Sequence, residues 1–136
     1  MKISTKGRYA LRMLLDLAEH RQCGYIALKD IAERQNISKK YLEQIIPMFN
    51  NSGILKTSRG AQGGYMLSRP PGEITVGDIL RALEGGLTLL DCLDEEDACG
   101  KSCDCPSRKI WQRLRDGING IVDGITLDDM LRRDEE

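Results

Sequence analysis

Ile26-Ala27-Leu28-Lys29-Asp30-Ile31-Ala32-Glu33-Arg34-Gln35-Asn36-Ile37-Ser38-Lys39-Lys40-Tyr41-Leu42-Glu43-Gln44 is the stretch whose reading decides the fold. Leu28, Ile31 and Ala32 fall on one face of a short helix. Asn36-Ile37 interrupts it, and Ser38 has the side chain of an N-cap for a second helix beginning at Lys39. Leu42, Ile45 and Ile46 give that helix an inward face, and Gly53 is expected to end it. Pro47 has no N–H to offer the Glu43 carbonyl, so a bend is expected there.

Immediately downstream, Ile54–Arg59 and Tyr65–Arg69 read as two strands around the tip Gly60-Ala61-Gln62-Gly63-Gly64. Helix, turn, helix and basic hairpin is the order of a winged helix-turn-helix. In that layout one helix enters the DNA major groove and the wing straddles the phosphates. The predicted class is therefore mainly α with a small β-hairpin wing.

On the upstream side, Ala10, Met13, Leu14, Leu17 and Ala18 have the spacing of a core-facing stripe. They predict a first helix from about Thr5 to Glu19 or His20, capped by Ser4 or Thr5. Beyond the wing, Pro70-Pro71-Gly72 breaks the chain, and Thr75 caps a short helix with Val76, Ile79, Leu80 and Leu83 inward. No period holds from Glu84 to Cys105, a Gly- and Asp-rich stretch of the kind that is functional or disordered.

Pro106 is suited to the first position of a long helix. Along that helix Ile110, Trp111, Leu114, Ile118, Ile121, Val122 and Ile125 keep a three-and-four spacing. Gly117, Gly120 and Gly124 each weaken a helix by about 1 kcal/mol relative to Ala, which points to a close approach by another helix. The expected partner is the same helix of a second copy, crossing over the first helix; the alternative is packing on its own domain alone. Thr126–Leu131 forms a last capped helix. The expected division is a DNA-binding domain at 1–84, a cysteine-rich sensor loop at 85–105, and a dimerisation helix with a short terminal helix at 106–136.

The net charge of −1 conceals a split. Residues 1–69 hold 12 basic and 5 acidic side chains, whereas residues 70–136 hold 8 and 16. A basic front half calls for a polyanionic partner. No run of about 18 apolar residues is present, so no membrane partner is expected. Met1–Arg8 lacks the apolar centre of a signal peptide, and a cytoplasmic protein is the expectation.

The second helix of the pair would offer Ser38, Lys39, Lys40, Tyr41, Glu43 and Gln44 to DNA. Gln44 can bond adenine through both amide atoms, and Glu43 can accept from cytosine. Lys39 and Lys40 suit phosphates, which fix register without reading sequence. Lys6 and Arg8, like Lys2 and Arg12, can reach phosphates from the first helix. Arg59 and Arg69 flank the wing, where Gly60, Gly63 and Gly64 let backbone approach a groove and an arginine can enter a narrow minor groove. No Gly-Lys-Ser/Thr follows these glycines, so a nucleotide phosphate loop is not the reading. Catalysis is not expected: His20 is the one histidine, with no nucleophile–base pairing in view.

Five cysteines is many for a reducing compartment, where clustered thiols bind metal or sense redox state. Cys23 stands alone and is expected to be buried or half-buried. Six residues separate Cys92 from Cys99 and five separate Cys99 from Cys105, with Cys103 between. Only Cys99 and Cys103 have the pairing of a zinc module, and no His follows. Iron–sulfur clusters accept looser spacing. A thiol switch, a zinc site and unrelated surface thiols stay open on spacing alone.

The chain resembles the Rrf-type winged-helix regulators, which include the iron–sulfur cluster regulator, the nitric-oxide-sensing repressor and the cysteine-metabolism repressor. The resemblance rests on Met1–Ala10, on Tyr41-Leu42-Glu43-Gln44, and on Arg59-Gly60 followed by Gly63-Gly64-Tyr65. Thr75–Glu84 and Ile125-Thr126-Leu127 extend it over nearly the whole chain. It implies a homodimer on a palindromic double-stranded operator, with the long helix crossing to the partner. In cluster-binding members three loop cysteines are ligands, and Cys92, Cys99 and Cys105 match them. The implied cofactor is a two-iron two-sulfur or four-iron four-sulfur cluster.

Two positions depart from those relatives. Arg108 stands where the cluster regulator has a ligating histidine, and Arg8 where some nitric-oxide-sensing members have an acid. Cys103 is the candidate fourth ligand. Cysteine-metabolism repressors resemble the first 90 residues closely and typically lack the loop cysteines. The alternative function is therefore a cofactor-free repressor of sulfur metabolism, controlled by a thiol switch or by an enzyme of cysteine synthesis.

Overall fold

A computed structural model describes residues 3–60, 63–84 and 106–133. The expected four loop cysteines, Cys92, Cys99, Cys103 and Cys105, lie outside the described residues, as do Ala61 and Gln62 of the wing tip.

Helix α1 spans Thr5–Glu19 and is the post around which the rest assembles. Ser4 caps it, its Oγ accepting the Gly7 N–H at 3.1 Å. Ala10, Met13, Leu14, Leu17 and Ala18 are all buried, as their spacing predicts. Met13, Leu14 and Leu17 each contribute about 1.5–3 kcal/mol by leaving water, and the two alanines less. Helices α2 (Leu28–Gln35) and α3 (Lys39–Ile45) pack on one flank of it, and α4 (Val76–Glu84) packs on it as well.

The turn between α2 and α3 is closed by Asn36, whose φ of 54° places it in the left-handed region that ends a helix. Asn tolerates that conformation because its short polar side chain can bond locally. Ser38 accepts the Tyr41 N–H at 3.0 Å and starts α3. The α-helical part ends at Ile45, well before Gly53, and Ile46–Phe49 continues as a 3-10 turn. Pro47 is the reason: its missing N–H breaks the i to i−4 ladder that Glu43 would close. Gly53 has a different duty, a turn at φ 73° leading into the wing.

The wing is an antiparallel pair, β1 (Leu55–Ser58) with β2 (Gly64–Leu67), in the register Leu55 to Leu67 and Ser58 to Gly64. Ile26 adds a one-residue third strand, exchanging both backbone hydrogen bonds with Tyr65 at 2.9 Å. Gly64 permits this crossing, since a Cβ there would lie 2.6 Å from the Ile26 carbonyl oxygen.

Helix α5 spans Arg108–Asp123, starting two residues after Pro106, and α6 spans Leu127–Arg133. Thr75 and Thr126 form an isolated bridge, and each caps its own helix through a reciprocal pair, Thr75 with Asp78 and Thr126 with Asp129. Leu127 is wholly buried, so the short terminal helix is part of the same core as α1. The apolar stripe of α5 is not: no residue of that helix is buried, and Ile110 is 56 %, Leu114 47 % and Ile121 64 % exposed. Among the described residues of the single chain, little covers that stripe. The helix is attached through α4, where Arg81 grips Asp123 with two bonds of 2.6 and 2.9 Å and Asn119 with a third of 3.0 Å.

Among the described residues, Asp16 is the one charged side chain in the core, 1 % exposed. Arg34 donates to both its oxygens (Nη2 to Oδ1 at 2.6 Å, Nε to Oδ2 at 3.0 Å), and Gln35 Nε2 donates to Oδ2 at 3.0 Å. Burial pushes this carboxyl up, but the bonds from Arg34 and Gln35 and the charge of Arg34 outweigh it, and the net shift is downward from 3.8. A carboxyl depressed by folding stabilises the native state above its unfolded value, and the contribution is lost as pH falls through the folded one. Replacing Asp16 by Asn should cost about 1–3 kcal/mol at neutral pH. Chemical denaturation should show that deficit shrinking as pH drops below 3.8, where the native chain loses the same charge. A deficit constant across that range would contradict the assignment.

Candidate nucleic-acid interface

The residues expected to meet DNA fall into two groups, linked where Tyr9 of α1 meets Tyr41 of α3. The first surrounds a cleft of about 490 Å³ between the wing and the start of the helix pair. Lys29 of α2, Lys39 and Glu43 of α3, and Ser58, Arg59, Gly60, Gly63 and Gly64 of the wing line it. Three cations and a single acid thus face one concave surface, the charge sign that draws a polyanion. Arg59 is exposed at the end of β1, beside Gly60, whose φ of 133° only glycine adopts readily. Gly63 turns the tip back, its N–H bonded to the Gly60 carbonyl at 3.0 Å.

Lys39 and Glu43 form an exposed pair at 3.9 Å, one turn apart on α3. Exposed pairs of this sort are worth less than about 1 kcal/mol, so Glu43 is free to exchange its lysine for a base edge. Lys40 and Gln44 project into solvent from the same helix. The Ser38 hydroxyl accepts from the Tyr41 N–H and keeps its own proton to donate.

The second group lies on α1. Arg8 is exposed and its Nη2 donates to Thr5 Oγ1 at 3.2 Å, and Lys6 is half-exposed. Tyr9 meets Tyr41 edge-on with ring centroids 5.3 Å apart, which sets the first turn of α3 directly against α1. Arg12 sits 5.6 Å over the Tyr9 ring and donates to the Gln35 main-chain carbonyl. Tyr41 is half-buried in this contact, so its ring positions α3 as much as it faces outward.

Two expectations change. Arg69 does not join the wing surface: it is half-buried, donating to the Glu73 carbonyl at 3.3 Å and lying 3.9 Å from Asp78, and so ties the end of the hairpin to α4. Its place one residue before the Pro70-Pro71 break turns it inward. Cys23 is exposed rather than buried, because the 3-10 turn Arg21–Cys23 lies on the surface and buries none of its residues. Among the described residues no cluster of His, Cys, Asp and Glu could hold a metal ion, and no helix is long and apolar enough to cross a membrane.

Known proteins share this arrangement. Residues 3–133 match the Rrf2 family, described as an iron-dependent transcriptional regulator. The helix-turn-helix-type transcriptional regulator CymR of Bacillus subtilis is 42 % identical over 130 residues, 96 % of this chain and 89 % of that protein. The structure of CymR, the global cysteine regulator of B. subtilis, superposes with a TM-score of 0.76, covering 96 % of this chain and 95 % of the other. IscR of T. potens gives the same TM-score, 0.76, at 42 % identity, covering all of this chain and 89 % of its own. With a family match along almost its full length and a mostly helical body carrying a two-stranded wing, the chain belongs to the Rrf2 family of transcriptional regulators.

Proposed function

We propose that this regulator is a homodimeric repressor that binds a palindromic operator and whose DNA affinity is set by an iron–sulfur cluster. The observation that carries the DNA reading is the cleft in which α3 and the wing face each other with Lys29, Lys39 and Arg59 against the lone acid Glu43. Lys39, Lys40, Lys6 and Arg8 hold phosphates, and Ser38 and Tyr41 support them at the start of α3. Glu43 and Gln44 read base edges in the major groove, and Arg59 with its glycines enters the neighbouring minor groove. Residues 1–84 carry this binding, 85–105 the sensor, and 106–136 the association of two copies through the exposed face of α5.

Cys92, Cys99 and Cys105 would hold the cluster, with Cys103 as candidate fourth ligand; soft thiolates are the donors such clusters take. When bound, the cluster supplies a fixed inorganic core that ties separate points of one segment together. The segment joins α4 to α5, so ordering it biases how two copies of α3 are spaced. Successive major grooves lie about 34 Å apart, and a small change of spacing weakens binding to both half-sites. The family's description as iron-dependent and the identity to IscR over the whole chain support this reading.

The likeness to CymR favours a second reading, a cofactor-free repressor of sulfur metabolism controlled by a thiol switch or by an enzyme of cysteine synthesis. Iron and sulfide analysis with a visible spectrum, on protein prepared without air, separates the two. The first reading expects stoichiometric iron and sulfide, lost in Cys92→Ser together with the control of DNA affinity. Protein that holds neither element yet still responds to thiol oxidants would leave only the second.

Arg59→Ala should weaken operator binding by about 1–3 kcal/mol, measured by fluorescence anisotropy at fixed salt. Glu43→Ala should broaden the set of duplexes recovered from a random-sequence pool more than it alters affinity for the best one. An unchanged sequence preference would remove Glu43 from the readers.

A further inference from the structure

The first turn of α1 is held from the far end of the domain. Ser4 caps that helix, and both of its own donors go to one oxygen of Glu84, the last residue of α4. The backbone N–H reaches Glu84 Oε1 at 3.1 Å and the Oγ–H reaches it at 2.6 Å. Hydroxyl-to-carboxylate bonds this short are charge-assisted and among the stronger polar contacts in proteins. A carboxylate is also favoured at a helix amino end by the aligned peptide dipoles. The approach depends on Gly7, where a Cβ would stand 2.8 Å from Oε1 and 3.4 Å from Ile3 Cγ2.

What this carboxylate holds is the part of α1 that faces DNA in the proposed reading. Lys6 and Arg8 follow within four residues of Ser4. Tyr9 comes next and carries the edge-on contact to Tyr41 in the first turn of α3. An unbroken series of contacts thus runs from the end of α4, through the start of α1, to the start of α3.

We propose that Glu84 is a positioning residue for DNA binding: it touches no nucleic acid but fixes the first turn of α1, and through Tyr9 and Tyr41 the seating of α3. The inference rests on the DNA reading given above. It carries an electrostatic signature that a simple charge effect lacks. Removing an acid from a DNA-binding face ordinarily tightens binding to a polyanion, whereas loss of this one weakens it.

The test uses the full chain and a duplex that the native protein itself selects from a random-sequence pool. Dissociation constants are measured across a range of salt for Glu84→Gln, Ser4→Ala, the double variant and Gly7→Ala. Glu84→Gln should weaken binding about tenfold, the size of one lost charge-assisted contact. It should also make the salt dependence shallower by about one phosphate contact. The loss in the double variant should fall short of the sum of the two single losses, because both substitutions remove the Oγ–H to Oε1 bond, while Ser4→Ala alone also removes the cap on the Gly7 N–H. Gly7→Ala should reproduce the loss while keeping the acid, with melting temperature measured beside the salt slope so that lost positioning is told apart from lost stability.

Binding by Glu84→Gln and Gly7→Ala as tight as native, with the salt slope intact, overturns the positioning role and leaves DNA binding in place. A lower melting temperature with an unaltered slope and site preference does the same, since it marks Glu84 as structural only. A native chain that selects no duplex removes the DNA reading and this inference with it.

Discussion

A carboxylate cut off from water dictates how the two halves of the helix pair meet. Asp16 lies in the middle of the otherwise apolar face of α1, and leaving its charge there unpaired would cost several kcal/mol, roughly the margin by which small domains stay folded. Arg34 and Gln35 satisfy it, and both sit in the last turn of α2. Asn36 follows at once in the left-handed turn, and Ser38 opens α3 two residues later. The bracket on Asp16 therefore fixes where the turn begins and, with it, the direction in which α3 leaves the core. Arg12 adds to the same junction from one turn earlier on α1 by bonding the Gln35 main chain. Side chains that face DNA in the proposed reading owe their placement to this polar knot as much as to the hydrophobic stripe around it.

Much of the architecture is legible along the chain because it depends on neighbours in sequence. Ser4 and Ser38 cap where their side chains say they can, and the stripe of α1 is buried residue by residue. The wing folds about its glycine tip with the pairing Leu55 to Leu67. Three features escaped because they are pairings over long separations. An Asp in an apolar stripe gives no local sign that Arg34 awaits it. Ile26 reads as the start of α2, yet its backbone is taken up by Tyr65 of the wing. Glu84 stands where the helical period stops, and its carboxylate closes on Ser4, 80 residues away.

The site is legible in its charge pattern and less so in its geometry. Lys39, Glu43 and Arg59 are named by helix spacing and by the wing, and they do share one cleft. Arg69 carries the same charge, but it lies at the far end of the hairpin, five residues beyond Gly64, and there it meets Glu73 and Asp78. Gly64 shows a related limit. Its lack of a side chain serves the Ile26 crossing inside the fold, a demand that no count of wing glycines reveals.

The solvent-facing stripe of α5 has a consequence for how such a protein behaves in dilute conditions. Ile110, Leu114 and Ile121 surrender their contact with water only when a second surface covers them. If that surface is another copy, the equilibrium is second order, and the assembled fraction falls as total chain is diluted. Melting temperature then depends on concentration. Occupancy of a two-fold operator would climb more steeply than linearly with the number of chains in the cell, so synthesis rate itself becomes an input to the switch.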